Sequence, residues 1–147
     1  MRRAAALATI ALAAALVGCG DPAASAAGET YVLRSIAGDA IPAVFNESDA
    51  VQVRILADTL VLAESGIGHE SQRVETLTQG DGSLDTYDVA VQLTWIIRGG
   101  RLEIACECPD YASCIAPPHL AGTVTASGLA FDISLGRAPL IFERLPD

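Results

Sequence analysis

The 147-residue chain has no lysine, one asparagine (Asn46), two histidines and only seven aromatic residues: Trp95, three tyrosines and three phenylalanines. Each shortage excludes something. Nine arginines against eighteen acids give a net charge of −9, the wrong sign for a protein that neutralises a phosphate backbone. With only His69 and His119, imidazole chemistry has few places to sit. No G-x-S-x-G, H-E-x-x-H or phosphate-cradling glycine loop occurs, and Gly66-Ile67-Gly68 stops short of any such fingerprint. The longest apolar run, Ala4 to Val17, is fourteen residues, below the roughly 20 that span a bilayer comfortably. What is abundant is apolar side chain, at 51%, which excludes disorder and suits one domain with its own core.

The first eighteen residues read as an address. Arg2 and Arg3 precede the apolar run, and small residues follow it, the layout of a secretory signal. Leu16-Val17-Gly18-Cys19 resembles the bacterial lipobox. The resemblance implies a diacylglyceryl group on the Cys19 sulfur, cleavage before Cys19 and acylation of the new amino group. Removing residues 1–18 leaves seven arginines against all eighteen acids, a net of −11. Each buried acyl methylene contributes about 0.8 kcal/mol, so two or three chains hold a protein at a membrane without a spanning segment. Residues 20–28 (GDPAASAAG) are small and turn-forming and read as a tether of at most about 30 Å. Gly20 directly after the lipidated cysteine permits export to an outer membrane if the envelope has one.

Residues 29–147 read as a single β domain, with period-two alternation and no 3.6-residue period. Val89, Val91, Leu93, Trp95 and Ile97 share one face; after Gly99-Gly100, Leu102, Ile104 and Cys106 share one face of the next run, which makes a hairpin. Further strands are expected at Tyr31–Ile36, at Val51–Ile55 resuming at Leu60 after a break at Asp58, and more weakly at Gln72–Leu77. Thr123–Ser127, Leu129–Leu135 and Leu140–Arg144 complete the set. Gln79–Asp85 reads as a loop, and Pro139 as a strand start or edge. Eight or nine close-spaced strands predict an all-β fold: an antiparallel barrel of about eight strands, with a β-sandwich as the alternative.

The lipobox and linker, the first strand with its Gly-x-x-Ile-Pro loop (Tyr31 to Pro42), the hairpins and the closing Phe142-Glu143-Arg144 together resemble small lipocalin-like lipoproteins of environmental bacteria. The resemblance implies a lipocalin-like barrel and carries over no catalytic residue. The cysteine-rich loop and the lack of Asp-Gly or Asn-Gly after Leu62 depart from the pattern.

With Cys19 lipidated, Cys106, Cys108 and Cys114 remain, an odd number in an oxidising compartment. A Cys108–Cys114 disulfide is favoured, because Pro109 and Asp110 turn the chain just after Cys108; Cys106 is then the alternate partner or a free thiol. Cys106, Cys108, Cys114 and His119 also form a zinc-type donor set, but the C-x-C spacing is not the usual C-x2-C knuckle, and the disulfide is preferred to metal. His69-Glu70-Ser71 alternate faces on a strand and cannot form a triad among themselves. Asp81, Asp85 and Asp88 read as a solvated acidic loop rather than a calcium loop. Leu93, Trp95 and Phe131, all on inward phases, are the candidate ligand-lining residues. The expectation is a monomeric, non-enzymatic envelope lipoprotein without cofactor. Its barrel either binds a small apolar ligand or serves as a scaffold for contact with another envelope protein.

Overall fold

The computed structural model describes residues 26–106, 119–133 and 137–146, and within these leaves aside the side chains of residues 106, 119, 133, 137 and 138. Ten strands follow in order: β1 (Glu29–Ile36), β2 (Asp39–Ala40), β3 (Ala43–Glu47), β4 (Val51–Leu62), β5 (Ile67–Thr78), β6 (Leu84–Arg98), β7 (Arg101–Cys106), β8 (His119–Val124), β9 (Gly128–Ile133) and β10 (Arg137–Arg144). β1 and β4 to β10 form an antiparallel up-and-down barrel of eight strands, in which each pairs with the next and β10 returns to β1. β1 also pairs with β4, which closes the ring; β2 and β3 are additions beside β1 and β4. Closure leaves the eight barrel strands no free edge along the joined stretch, and so answers the problem an open sheet would have. The sandwich alternative does not apply.

Alternation explains the core. Tyr31, Leu33, Leu60, Leu62, Val74, Leu93, Leu102, Ile104, Leu129, Phe131 and Phe142 are buried, and their strand neighbours face outward. Phe131 and Phe142 meet edge to face, with ring centroids 5.7 Å apart. Gly122, opposite Phe131 on β9, makes room for that pair, since a Cβ there would come within 2.7 Å of Phe131 Cδ1. The Gly99-Gly100 turn has both residues at positive φ, as a two-residue hairpin between β6 and β7 requires.

The structure revises four local expectations. Asp58 does not break its strand: β4 runs through it, and a bulge between Ile55 and Ala57 shifts the phase so that Ile55, Asp58, Leu60 and Leu62 are all buried. β5 is twice as long as the polar segment suggested, and Leu84 and Asp85 belong to β6 rather than to a loop. β2 and β3 occupy what read as a loop around Ile41-Pro42. Pro139 lies inside β10, where the register with β9 shifts between Arg137 and Leu140, and a missing N–H is tolerated at such an irregularity.

The strands differ in length. β4, β5 and β6 have 12, 12 and 15 residues, whereas β7, β8 and β9 have 6 each. β7 is in register with β6 only from Leu93 to Arg98, so among the described residues the first half of β6 pairs on one side only. The long strands therefore project past one end of the barrel. There Phe45, Val53 and Val89 pack against the core but stay partly exposed.

Candidate functional site

Three polar side chains are buried among the described residues: Asp58 at 2% exposure, Glu70 at 6% and Gln72 at 9%. All three result from strand phase. Asp58 follows the β4 bulge on the same face as Leu60, and lies opposite Gln72 on β5; Glu70 lies two residues from Gln72, opposite Leu60. Residues two apart on one strand and directly opposite on the next share a face, which brings the three side chains together inside the barrel.

The Gln72 amide links the two acids. Its Nε2 donates to Asp58 Oδ2 at 2.9 Å and to Glu70 Oε1 at 3.0 Å. Asp58 Oδ1 has no donor among the described residues. The two carboxyls are also within hydrogen-bonding reach of each other, a contact that needs a proton on one of them. Burial is the main cause that pushes Asp58 up to about 8; the charge of Glu70 adds to it, and the Gln72 hydrogen bond opposes it. Burial likewise raises Glu70, against hydrogen bonds from Asp58 and Gln72. At neutral pH the pair therefore keeps a proton, and the titration belongs to the pair rather than to either residue.

Sequence reading passed over this cluster. Glu70 stands in the polar run His69-Glu70-Ser71, and Asp58 interrupts an apolar one. The available signal was phase: Glu70 and Gln72 alternate with exposed His69, Ser71 and Arg73, and lead into buried Val74.

The residues singled out from sequence are placed as follows. Leu93 and Phe131 are fully buried in the core. Trp95 is half-buried, and its Nε1–H donates to the carbonyls of Ala63 (3.0 Å) and Ile67 (3.3 Å), so its indole ties down the β4–β5 turn. His69 and Ser71 face outward while Glu70 faces inward, so the three neighbours do not converge. Asp81 Oδ1 accepts the Ser83 N–H at 2.9 Å, which holds its carboxyl below the usual range; Asp85 and Asp88 are exposed along β6. Cys19, Cys108 and Cys114 lie outside the described residues. The backbones of Cys106 and His119 lie near each other, since Ala105 pairs with His119, but the thiol and imidazole are outside the description. No group of three or more metal-type donors occurs among the described residues, and none of their helices is long and apolar enough to cross a membrane.

A groove of about 570 Å³ runs on the outer wall of β6, β7 and β8. It is lined by the outward side chains of Thr94, Ile96, Glu103, Ala105 and Ala121, with Ile96 47% exposed.

The class that the fold defines is the eight-stranded up-and-down antiparallel barrel. No protein-family model, curated protein or solved structure matches the chain.

Proposed function

We propose that this is an envelope lipoprotein, anchored by lipid on Cys19, whose non-catalytic barrel binds a small, mainly apolar molecule at the end where the long strands project. The observation that carries the binding reading is the partly exposed apolar set Phe45, Val53 and Val89 at that end, beside the buried Asp58–Gln72–Glu70 group. Binding sites for small molecules combine apolar walls with a few fixed polar groups, and the mouth of a barrel is a usual place for them. The anchoring reading rests on Leu16-Val17-Gly18-Cys19 and the short tether after it. Gly20 after the lipidated cysteine permits outer-membrane placement where an outer membrane exists.

The outer-wall groove favours a second reading. Exposed Ile96 beside small Ala105 and Ala121 offers a contact surface to another envelope protein, with the barrel only a scaffold.

Native mass spectrometry of the protein extracted gently from its own membrane tests both. The expected spectrum shows a chain starting at Cys19 with acyl mass, and a small molecule that leaves on activation. An unacylated chain that retains residues 1–18 overturns the anchor. An acylated chain that carries a second protein and no small molecule replaces the binding reading with the scaffold one.

A further inference from the structure

The buried acids lie beside one of the two shortest ladders of the barrel, each of four residue pairs. β1 and β4 are in register only from Glu29 opposite Leu62 to Val32 opposite Thr59, four residue pairs in all. β4 and β5, by contrast, stay in register from Val51 opposite Thr78 to Leu62 opposite Gly68. On the seam side of β4, β3 stops with Ala43 opposite Ile55, and β1 begins at Thr59. Leu56, Ala57 and Asp58 fall between those partners, with the bulge at the same place. Asp58 is thus both the most deeply buried acid and the residue next to the end of the seam.

Among the described residues, the charged and titratable groups on the surrounding strands give the pair no cation. On β4, Arg54 is bound to Glu75 of β5 on the outer face. On β5, His69 and Arg73 are exposed, and on β6, Val91 and Val89 lie opposite Glu70 and Gln72 while Asp85 and Asp88 are exposed. On β1, the buried Tyr31 hydroxyl donates to Ala26 O, Arg34 is exposed and bound to Glu143 of β10, and Glu29 pairs with Arg144 of β10. On β3, exposed Glu47 accepts from Gln52.

We propose that Asp58, Gln72 and Glu70 form a proton-operated latch on the β1–β4 seam: a proton held between the two carboxyls keeps the barrel shut, and its loss parts β1 from β4, starting at Val32–Thr59. Loss of that proton leaves two carboxylates facing one amide donor, with no cation among the described residues to offset them, and an unpaired buried charge is strongly unfavourable until water reaches it. Water has its shortest route where Leu56–Asp58 lack a partner on the seam side of β4, and the four-pair seam, whose strands no tight turn joins, opens more cheaply than the equally short β8–β9 hairpin. β5 and β6 remain joined, so the opening is a local slit in the wall rather than loss of the fold. This inference rests on the barrel alone and is independent of the proposed ligand and anchor.

Amide hydrogen exchange read by mass spectrometry on the full chain in detergent, between pH 6 and 9.5 and corrected for intrinsic exchange, tests it. Peptides covering 29–36 and 55–62 report the seam; peptides covering 100–106 and 128–133 serve as controls. Seam opening in the wild type is expected to rise about tenfold per pH unit above pH 8, as release of one proton requires, while the controls keep their protection. The double variant Asp58→Asn with Glu70→Gln leaves no buried carboxyl to lose a proton and is expected to flatten the seam's response. Equal loss of protection in seam and controls would overturn the latch, as would a wild-type response that persists in the double variant. Should the double variant fail to fold, the contrast between seam and controls in the wild type decides on its own.

Discussion

Gln72 Nε2 donates one hydrogen bond to Asp58, 2.9 Å away on the neighbouring strand, and a second to Glu70 on its own strand, so a single amide holds two acids inside an otherwise apolar barrel. One donor group between two acceptors is stable only while the acids carry less than their full charge.

The first prediction concerns pH. Asp58 binds its proton more tightly in the folded state than its ordinary value of 3.8 would give, so its contribution to stability is complete below about pH 4 and is lost as pH rises through about 8. Unfolding free energy from urea titration is expected to fall across this window by up to about 1.4 kcal/mol per pH unit. Asp58→Asn removes the Asp58 share of that slope and makes the protein more stable than wild type at pH 9. A wild-type slope that survives undiminished in the variant would assign it to acids other than Asp58.

Removing the bridging donor acts on both acids at once. Gln72→Leu is expected to cost about 2 kcal/mol at pH 7, because two buried acceptors lose their partner while the side chain's bulk is kept. Its cost should shrink towards pH 4, where both carboxyls are neutral, and equilibrium denaturation at the two pH values measures the difference.

Trp95 provides a test of the β4–β5 turn. Trp95→Phe keeps an aromatic ring but deletes the N–H that reaches Ala63 O and Ile67 O. A loss of about 1 kcal/mol is expected, together with faster amide exchange over residues 63–67 than elsewhere.

Gly122→Ala is expected to be the most damaging of these changes per atom added. The new methyl would press on Phe131 and on the β9 backbone at Ala130, and overpacking of this kind costs typically about 1–3 kcal/mol. Thermal denaturation beside a Gly80→Ala control, where a Cβ meets nothing, isolates the effect.

What could be read from sequence was whatever followed simple alternation. Val89 to Ile97, Gly99-Gly100 and Leu102 to Cys106 gave the β6–β7 hairpin outright, since the apolar phase and the turn chemistry agreed. β4 defeated the same reasoning because its bulge moves the buried face from odd to even numbers, which makes Asp58 look like a break when it lies inside. Glu70 and Gln72 were hidden for a related reason. A carboxylate or amide on an inward phase looks like an exposed residue until the partner strand that satisfies it is known. β2 and β3 were missed because five residues or fewer beside Pro42 carry too little pattern to register.

The return of β10 to β1 also sets a clock. Tyr31 pairs with Arg144, and the Leu145 N–H reaches Thr30 O, so the two ends of the described chain lie side by side. Every barrel strand except the last can be made and still leave an open sheet with two bare edges. A chain that emerges N-terminus first therefore cannot finish its wall until Leu140–Arg144 has arrived. Until then it exposes the apolar face that Phe142 will cover, and a stop only a few residues early would leave a nearly complete protein without its final stave.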